Sequence, residues 1–385
     1  MKKILTYGRQ FLDTKDNNLV KEALKSNLLS SGPYLNKFED KIKKMTKVKF
    51  SIVCNSGTSA IHLAFMGLGI KHGDNVLMPV VNFISAYNMC KLIGANPIFL
   101  DVDQHTGQIT PEIVEQFFIK NKKLKIKLLV TMYLGGYPEN IIEFFKLKKK
   151  YNFLILEDSC HAFGASYYHN KKYHKIGSCK HSDISTFSFH PVKTITTGEG
   201  GATTTNNKYY YKKMKLLRSH GIIRKKKYWQ YDLKYSGYNY RISDLNCSLG
   251  ISQIDKTNYF INERSKIYKN YLKLFKNFKS DIVCFPKYSN KITPSYHLFL
   301  ININFRKLKI NKNQFIKMLN KKNIYPQYHY IPLNKFSLIK EKKIYQNSEK
   351  YFSNTLSIPI YVGLKKKDQI YIFNNITNII KKNVK

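Results

Sequence analysis

An alternation in the first two-thirds of the chain constrains the fold more than any other feature. Short apolar runs recur at Phe50–Cys54, Val76–Val80, Pro97–Asp101, Lys127–Met132, Phe153–Glu157, Ile184–Phe189 and Gly201–Thr205. Several carry consecutive apolar residues, as strands buried on both faces do. Between them the periodicity predicts helices over Ser59–Leu68, Ile84–Leu92, Pro111–Lys120 and Ile141–Tyr151. Strands alternating with helices give an α/β domain on a mostly parallel sheet. Ligands of such sheets bind beyond the carboxyl ends of the strands, so strand-end residues matter most.

Beyond about residue 241 the pattern changes. Helices are predicted over Ile242–Ile254, Asn258–Phe278, Gln346–Thr355 and Lys367–Lys381, and strands over Tyr296–Asn304 and Tyr325–Tyr330. The expected division is a large domain at residues 1–250 and a small α+β domain at 251–385, the latter including a long connecting helix.

Composition narrows the class. Apolar residues make up 43% of 385, enough for a core and too many for a disordered chain. No apolar stretch approaches the roughly 20 residues of a membrane-spanning helix. The start, Met-Lys-Lys-Ile-Leu-Thr-Tyr, has no long apolar run behind its lysines, which predicts no signal peptide and a cytoplasmic protein. The six cysteines are scattered without a CxxC pair, and Cys160-His161 and Cys179/His181 lack zinc-ligand spacing. Free thiols and no metal site are expected. The formal charge is +42, from 66 Lys and Arg against 24 Asp and Glu. The lysines are spread along the whole chain, as a compositional bias over solvated faces would be. A positive field of this kind also draws in anionic small molecules.

One segment carries the chemistry: Ser185-Thr-Phe-Ser-Phe-His190-Pro-Val-Lys193-Thr-Ile-Thr-Thr-Gly198-Glu-Gly-Gly201. A lysine on a sheltered strand-end turn loses basicity by desolvation and can act as an amine nucleophile. The chain has very many lysines, but Lys193 stands apart from the lysine runs, between an apolar strand and a Gly-rich turn. Upstream, Phe153-Leu-Ile-Leu-Glu157-Asp158-Ser-Cys-His161 ends an apolar strand in two carboxylates. Pyridoxal chemistry needs such a pair: a carboxylate to keep the pyridine nitrogen protonated, and a lysine to hold the aldehyde. Asp158 alone would serve equally as a cap on the following turn. A third element, Cys54-Asn-Ser56-Gly57-Thr58-Ser59-Ala60, opens a helix after the first strand. Helix-terminal N–H groups and hydroxyls form an anion site, although the same residues serve ordinary capping. Ser188 adds a second hydroxyl near Lys193.

With these residues the chain resembles the DegT/DnrJ/EryC1/StrS sugar aminotransferases, from about Tyr7 to the last helix. The resemblance implies the aspartate aminotransferase fold (fold type I): a large domain on a mixed, mostly parallel seven-stranded sheet and a small C-terminal α+β domain. It implies pyridoxal 5'-phosphate as cofactor. Lys193 would hold the cofactor and then act as the base, Asp158 would pair with the pyridine nitrogen, and His161 would lie against one ring face, where many relatives have Gln. Gly57, Thr58 and Ser188 would bind the phosphate. Phe83 would sit near the cofactor; plain core packing explains it equally well. Asn239 would reach the phosphate from a neighbouring subunit, which implies a homodimer with shared active sites. By sequence alone Asn239 is a turn residue after Gly237.

Leu217–Arg224, Trp229–Leu233, Gly237–Gln253 and Pro326–Leu333 are similar to the pseudaminic-acid branch of that family. That branch implies transfer of an amino group from L-glutamate to carbon 4 of a UDP-linked 4-keto-6-deoxy-N-acetyl hexose. It places Tyr7, Asn27, Leu28, Leu29, Ser30, Gly57, Ser188, Asn239, Gln327, Tyr328, His329 and Tyr330 against the sugar nucleotide or the cofactor adduct. For Tyr328, His329 and Tyr330 the alternating face of a strand is an equal explanation. Gly8-Arg-Gln departs from some relatives. Amination of another sugar (4-amino-arabinose, perosamine or bacillosamine type) stays open. A family dehydratase is disfavoured by Lys193, which some of those enzymes replace with histidine. A basic nucleic-acid-binding protein is opposed by the intact Lys193, Asp158 and Gly198–Gly201, and no nucleic-acid-binding motif supports it.

Overall fold

The seven apolar runs become the strands of one sheet. The computed structural model describes residues 3–227, 229–278, 280–341 and 343–385, so the first two residues of the expected large domain lie outside it. The strands are β1 (Phe50–Cys54), β2 (Asn75–Pro79), β3 (Asn96–Leu100), β4 (Leu128–Met132), β5 (Leu154–Asp158), β6 (Ile184–Ser188) and β7 (Gly201–Thr205). Their order across the sheet is β1-β7-β6-β5-β4-β2-β3. β7 runs antiparallel to both neighbours, and the remaining pairs are parallel. Consecutive residues point to opposite faces, and both faces are covered. Ile52 and Cys54 join one apolar cluster and Val53 another.

The helices are α1 (Thr14–Leu24), α2 (Pro33–Thr46), α3 (Gly57–Gly67), α4 (Ile84–Leu92), α5 (Pro111–Lys120), α6 (Ile141–Tyr151), α7 (Lys208–Leu217), α8 (Asp244–Asp255), α9 (Thr257–Lys276), α10 (Lys312–Asn320), α11 (Gln346–Asn354) and α12 (Lys366–Lys382). Local chemistry sets their starts. Asp13 and Asp16 form a reciprocal cap at α1, Thr110 caps α5, whose first residue is Pro111, and Ser56 caps α3. α2 and α8 pack together over the face that holds Val53, while α3 covers β6 and β7 from the other.

A third apolar cluster gathers residues 267–380 around the strands β8 (Val283–Cys284), β9 (Phe299–Ile303) and β10 (Thr355–Ile358). β9 lies between the other two, antiparallel to both. Leu5 belongs to this cluster, because Leu5–Thr6 pairs in parallel with Ile324–Tyr325. The predicted strand Tyr325–Tyr330 does not form. Regular pairing ends at Tyr325, Pro326 has no N–H to donate, and beyond it only Gln327 makes a single bridge, to Ser357. The predicted helix end at Thr355 is instead the first residue of β10. The six cysteines are unpaired. Among the described residues no helix is long and apolar enough to cross a membrane.

Candidate active site

The carboxyl ends of β1, β5 and β6 and the start of β7 meet at one edge of the sheet. The register aligns Cys54, Gly201 and Ser188 in one row. After β1 the chain enters α3 at once. The Ser56 side chain accepts the Ser59 N–H, so the helix begins at Gly57, two residues before the predicted start. Gly57 is packed so closely that an added Cβ would lie 2.7 Å from the Ser188 Cβ. The α3 N-terminus, with its free N–H groups and positive dipole end, therefore abuts the end of β6. The Thr58 hydroxyl shares a 2.7 Å hydrogen bond with Ser85 from α4.

Asp158 closes β5. The Cys160 N–H donates to its Oδ1 at 3.2 Å. Burial pushes the Asp158 carboxyl up, against the pull of Cys160 and the nearby Lys193 charge. A buried carboxylate so placed is short of a counter-charge, which a protonated ring nitrogen supplies. Lys193 sits in the loop 189–200, which starts and ends on paired residues, Ser188 and Gly201. The Lys193 N–H donates to the His190 carbonyl at 2.9 Å, and the Thr196 hydroxyl donates to the Phe189 carbonyl at 3.0 Å. Burial lowers the basicity of Lys193, with Cys160 and Asp158 opposing. Its amine is thus closer to the neutral, nucleophilic form than a surface lysine.

These residues floor a cavity of about 710 Å³, within the range of small-molecule sites. Gly57, Thr58, Asp158, Ser188 and Lys193 border it from the sheet edge. His161, Phe83 and Tyr7 form walls, and Gln327, Tyr328, His329 and Tyr330, in the segment after Tyr325, form the roof. Phe83 is half exposed and packs on Tyr330 at 5.6 Å, so it is a wall and not core filling. His161 Nδ1 accepts the Gly135 N–H at 3.2 Å, and its Nε2 lies 2.9 Å from the Tyr330 hydroxyl. Burial, then the charge of Lys193, holds His161 well below the usual imidazole range. His329 stacks edge-on against Tyr7 at 4.8 Å and is tied to Ser357 at 2.8 Å. The Tyr328 hydroxyl donates to Asn313 at 2.8 Å, which commits it away from the cavity.

Asn27, Leu28, Leu29 and Ser30 form an exposed connection between α1 and α2 and do not border this cavity. Asn239 is also exposed and outside it; its carbonyl accepts from Asn55 Nδ2 at 3.4 Å. Polar bordering residues beyond the sequence-based expectations include Ser85, Cys160 and Asn82. Asn82 is buried, and neither its Nδ2 nor its Oδ1 has a partner. Its place just before Phe83, after the apolar run of β2, is the available signal. His297 is buried behind His161, ring centroids 4.2 Å apart, and no local pattern marks it.

The arrangement fits pyridoxal phosphate. A glycine cradle and helix terminus offer donors for a phosphate, a buried carboxylate makes no ion pair among the described residues, and a lysine of lowered basicity stands on the same floor. Among the described residues, Lys193 is the only Lys or Arg bordering the cavity, in a chain that carries 66.

Comparison with known proteins agrees with this geometry. Residues 10–377 match the profile of the DegT/DnrJ/EryC1/StrS aminotransferase family. The chain is 36% identical, over 98% of each sequence, to the UDP-4-amino-4,6-dideoxy-N-acetyl-beta-L-altrosamine transaminase of Campylobacter jejuni. It is 32% identical to the GDP-perosamine synthase of Escherichia coli O157:H7, over 95% of each. Among solved structures, Helicobacter pylori PseC, an aminotransferase involved in the biosynthesis of pseudoaminic acid, superposes with a TM-score of 0.88 at 27% identity. That match covers 99% of this chain and all of the other.

Proposed function

The chain belongs to the DegT/DnrJ/EryC1/StrS aminotransferase family of pyridoxal-phosphate enzymes, and on that premise we propose that it moves the amino group of L-glutamate to carbon 4 of a UDP-linked 4-keto-6-deoxy-N-acetyl hexose. The observation that carries the reading is the meeting of Lys193, Asp158 and the α3 N-terminus in one cavity beyond the strand ends. The Campylobacter relative, similar over nearly its whole length, supports this acceptor.

Bound there, pyridoxal phosphate supplies a ring that delocalises the charge of a carbanion. This chain's residues do the rest. The α3 N-terminus, Thr58 and Ser188 hold the phosphate, and Asp158 holds the pyridine nitrogen protonated. Lys193 Nζ takes the proton from the glutamate α-carbon and, in the second half of the cycle, returns one to carbon 4 of the sugar. Proton transfer by a positioned group contributes roughly 10²–10⁴-fold. Tyr7 in the wall and Gln327, His329 and Tyr330 in the roof exclude water and orient the sugar.

Asn239 and the stretch Asn27–Ser30 act in this reading on the cavity of a second subunit. Their exposure outside their own cavity supports it, as do the exposed Leu28 and Leu29. The cytoplasm, where nucleotide sugars are made, is the compartment that suits the substrates. A second acceptor is favoured by a specific finding: the perosamine synthase match supports a GDP-linked keto sugar.

Borohydride treatment of the cofactor-loaded protein, followed by peptide mass spectrometry, tests the first step. The cofactor is expected on Lys193 and on no other lysine. Glutamate added before borohydride is expected to release it and protect Lys193, with one equivalent of 2-oxoglutarate. A panel of UDP- and GDP-linked 4-keto sugars then names the acceptor. Turnover of the GDP sugar alone would transfer the assignment to the second reading, and no cofactor capture would sink both.

A further inference from the structure

We propose that His161 is a positioning residue that makes the Tyr330 hydroxyl a one-way hydrogen-bond donor into the cavity, aimed at the ketone oxygen of the sugar. The ketone assignment rests on the function proposed above; the polarity of the pair does not.

The polarity follows from what each atom can do. A backbone N–H only donates, so the Gly135 N–H at 3.2 Å requires a lone pair on His161 Nδ1. The ring is buried, and Lys193, His297 and His329 all oppose a second proton on it. A neutral imidazole with a bare Nδ1 carries its hydrogen on Nε2. Nε2 lies 2.9 Å from Tyr330 Oη, so Oη accepts there. The tyrosine's own hydrogen must therefore point elsewhere. Among the described residues no protein acceptor takes it, and Tyr330 borders the cavity.

The backbone around the pair is built for this arrangement. Gly135 has a φ of 72°, in the left-handed region that favours glycine, and this turn brings its N–H to the imidazole. At Gly136 an added Cβ would fall 2.0 Å from Ser295 Oγ and 2.7 Å from the His161 carbonyl oxygen. Ser295 Oγ in turn donates to that carbonyl at 2.6 Å. The His297 ring closes the space behind His161.

A fixed donor distinguishes the two ends of the reaction. A ketone oxygen accepts its hydrogen bond; an ammonium group, which has only donors, cannot. The geometry thus favours binding of the keto sugar and release of the amino sugar.

Two experiments test the proposal. Nitrogen-15 NMR of the histidine side chains, in cofactor-free protein at neutral pH, reads the tautomer directly. The resonance lost in His161→Gln is expected to report hydrogen on Nε2 and none on Nδ1. Hydrogen on Nδ1, or a doubly protonated ring, would overturn the proposal. The second experiment reverses the polarity. A glutamine in place of His161 still accepts from Gly135 and donates to Tyr330, whereas a glutamate accepts from both and turns the tyrosine proton inward. His161→Glu and Tyr330→Phe are each expected to lower kcat/KM for the keto sugar roughly 10–100-fold, the size of one strong hydrogen bond. His161→Gln is expected to recover most of the His161→Glu loss. Combining His161→Glu with Tyr330→Phe is expected to be no worse than Tyr330→Phe alone. Equal losses for the Gln and Glu variants, or additive losses in the double variant, would refute the role. If His161→Glu does not fold, Tyr330→Phe and the NMR measurement still decide. If no keto sugar is turned over by the wild type, the proposed function and the ketone assignment fail, and the tautomer stands or falls on the NMR alone.

Discussion

The floor and the roof of the cavity are held by different forces. On the floor, Asp158 and Ser188 end strands, and Gly57 follows one. Their places are set by the sheet ladder, in which Cys54, Gly201 and Ser188 are adjacent across three strands. On the roof, Gln327–Tyr330 has no regular structure. It hangs on single contacts from distant parts of the chain: Tyr351 Oη to the His329 carbonyl at 2.6 Å, His329 to Ser357, and Tyr330 to His161. The difference assigns work. In the proposed function the groups that hold the cofactor, Asp158, Ser188 and Gly57, sit where the sheet ladder fixes the backbone. Lys193 sits on the loop between two ladder strands, and the sugar is met by a segment whose shape depends on a few side chains.

Substitutions on the two sides should therefore fail differently. The largest effect is expected from Lys193→Ala: kcat lower by about 10²–10⁴-fold, with no cofactor fixed by borohydride. A roof substitution with an equal loss of kcat would break the contrast. Asp158→Asn keeps the shape and removes the charge; a loss of about 10²–10³-fold in kcat is expected, with the pyridine nitrogen's protonation read from the absorbance spectrum. Gly57→Ala forces a methyl against Ser188 and should cost about 1–3 kcal/mol of cofactor affinity, measured by equilibrium dialysis. On the roof, Tyr351→Phe removes one hydrogen bond, about 1 kcal/mol. A several-fold rise in KM for the keto sugar is expected, with cofactor affinity unmoved.

The smallest effect concerns Glu157, on the opposite face of β5 from Asp158. Burial pushes its carboxyl up to about 7 from an ordinary 4.5, and its Oε2 has no partner. The folded state then binds more protons than the unfolded state between those values. Stability contributed by this site falls as pH rises from about 4.5 through 7 and stays low above. Glu157→Gln should raise Tm at pH 8 and lose that advantage near pH 4, as calorimetry at the two pH values would show.

The same contrast explains what the sequence makes legible. Floor strands are short apolar runs closed by polar residues, so β1 to β7 lie within a residue or two of their predicted positions, and Asp158 and Lys193 follow from strand-end logic. The predicted start of α3, at Ser59, falls two residues late because Ser56 is the cap. The roof misleads. Tyr325–Tyr330 alternates like a strand, yet alternation reports a face and not a partner, and Pro326 removes the donor that pairing needed. Contacts such as Gly135 with His161, or His297 behind that ring, join residues distant in sequence and leave no local pattern. α1 and α2 lie outside the predicted helices, although Leu35, Phe38 and Ile42 repeat at helical spacing along one face of α2, and Pro33 and the Asp13/Asp16 pair mark both starts.

The pairing of Leu5–Thr6 with Ile324–Tyr325 also orders events during synthesis. β7 completes the central sheet at Thr205, so the floor can form once that part of the chain has emerged. Tyr7, made among the first residues, has no seat until Tyr325 and His329 appear. At about 5–20 residues per second that wait is roughly 16–64 s. For the part of it after Thr205, roughly 6–24 s at the same rate, the chain holds a finished floor beneath an open top, with Leu5 exposed and its apolar partners not yet made. A cofactor molecule or a chaperone has its freest access to the nascent protein in that interval, and release from the ribosome ends it.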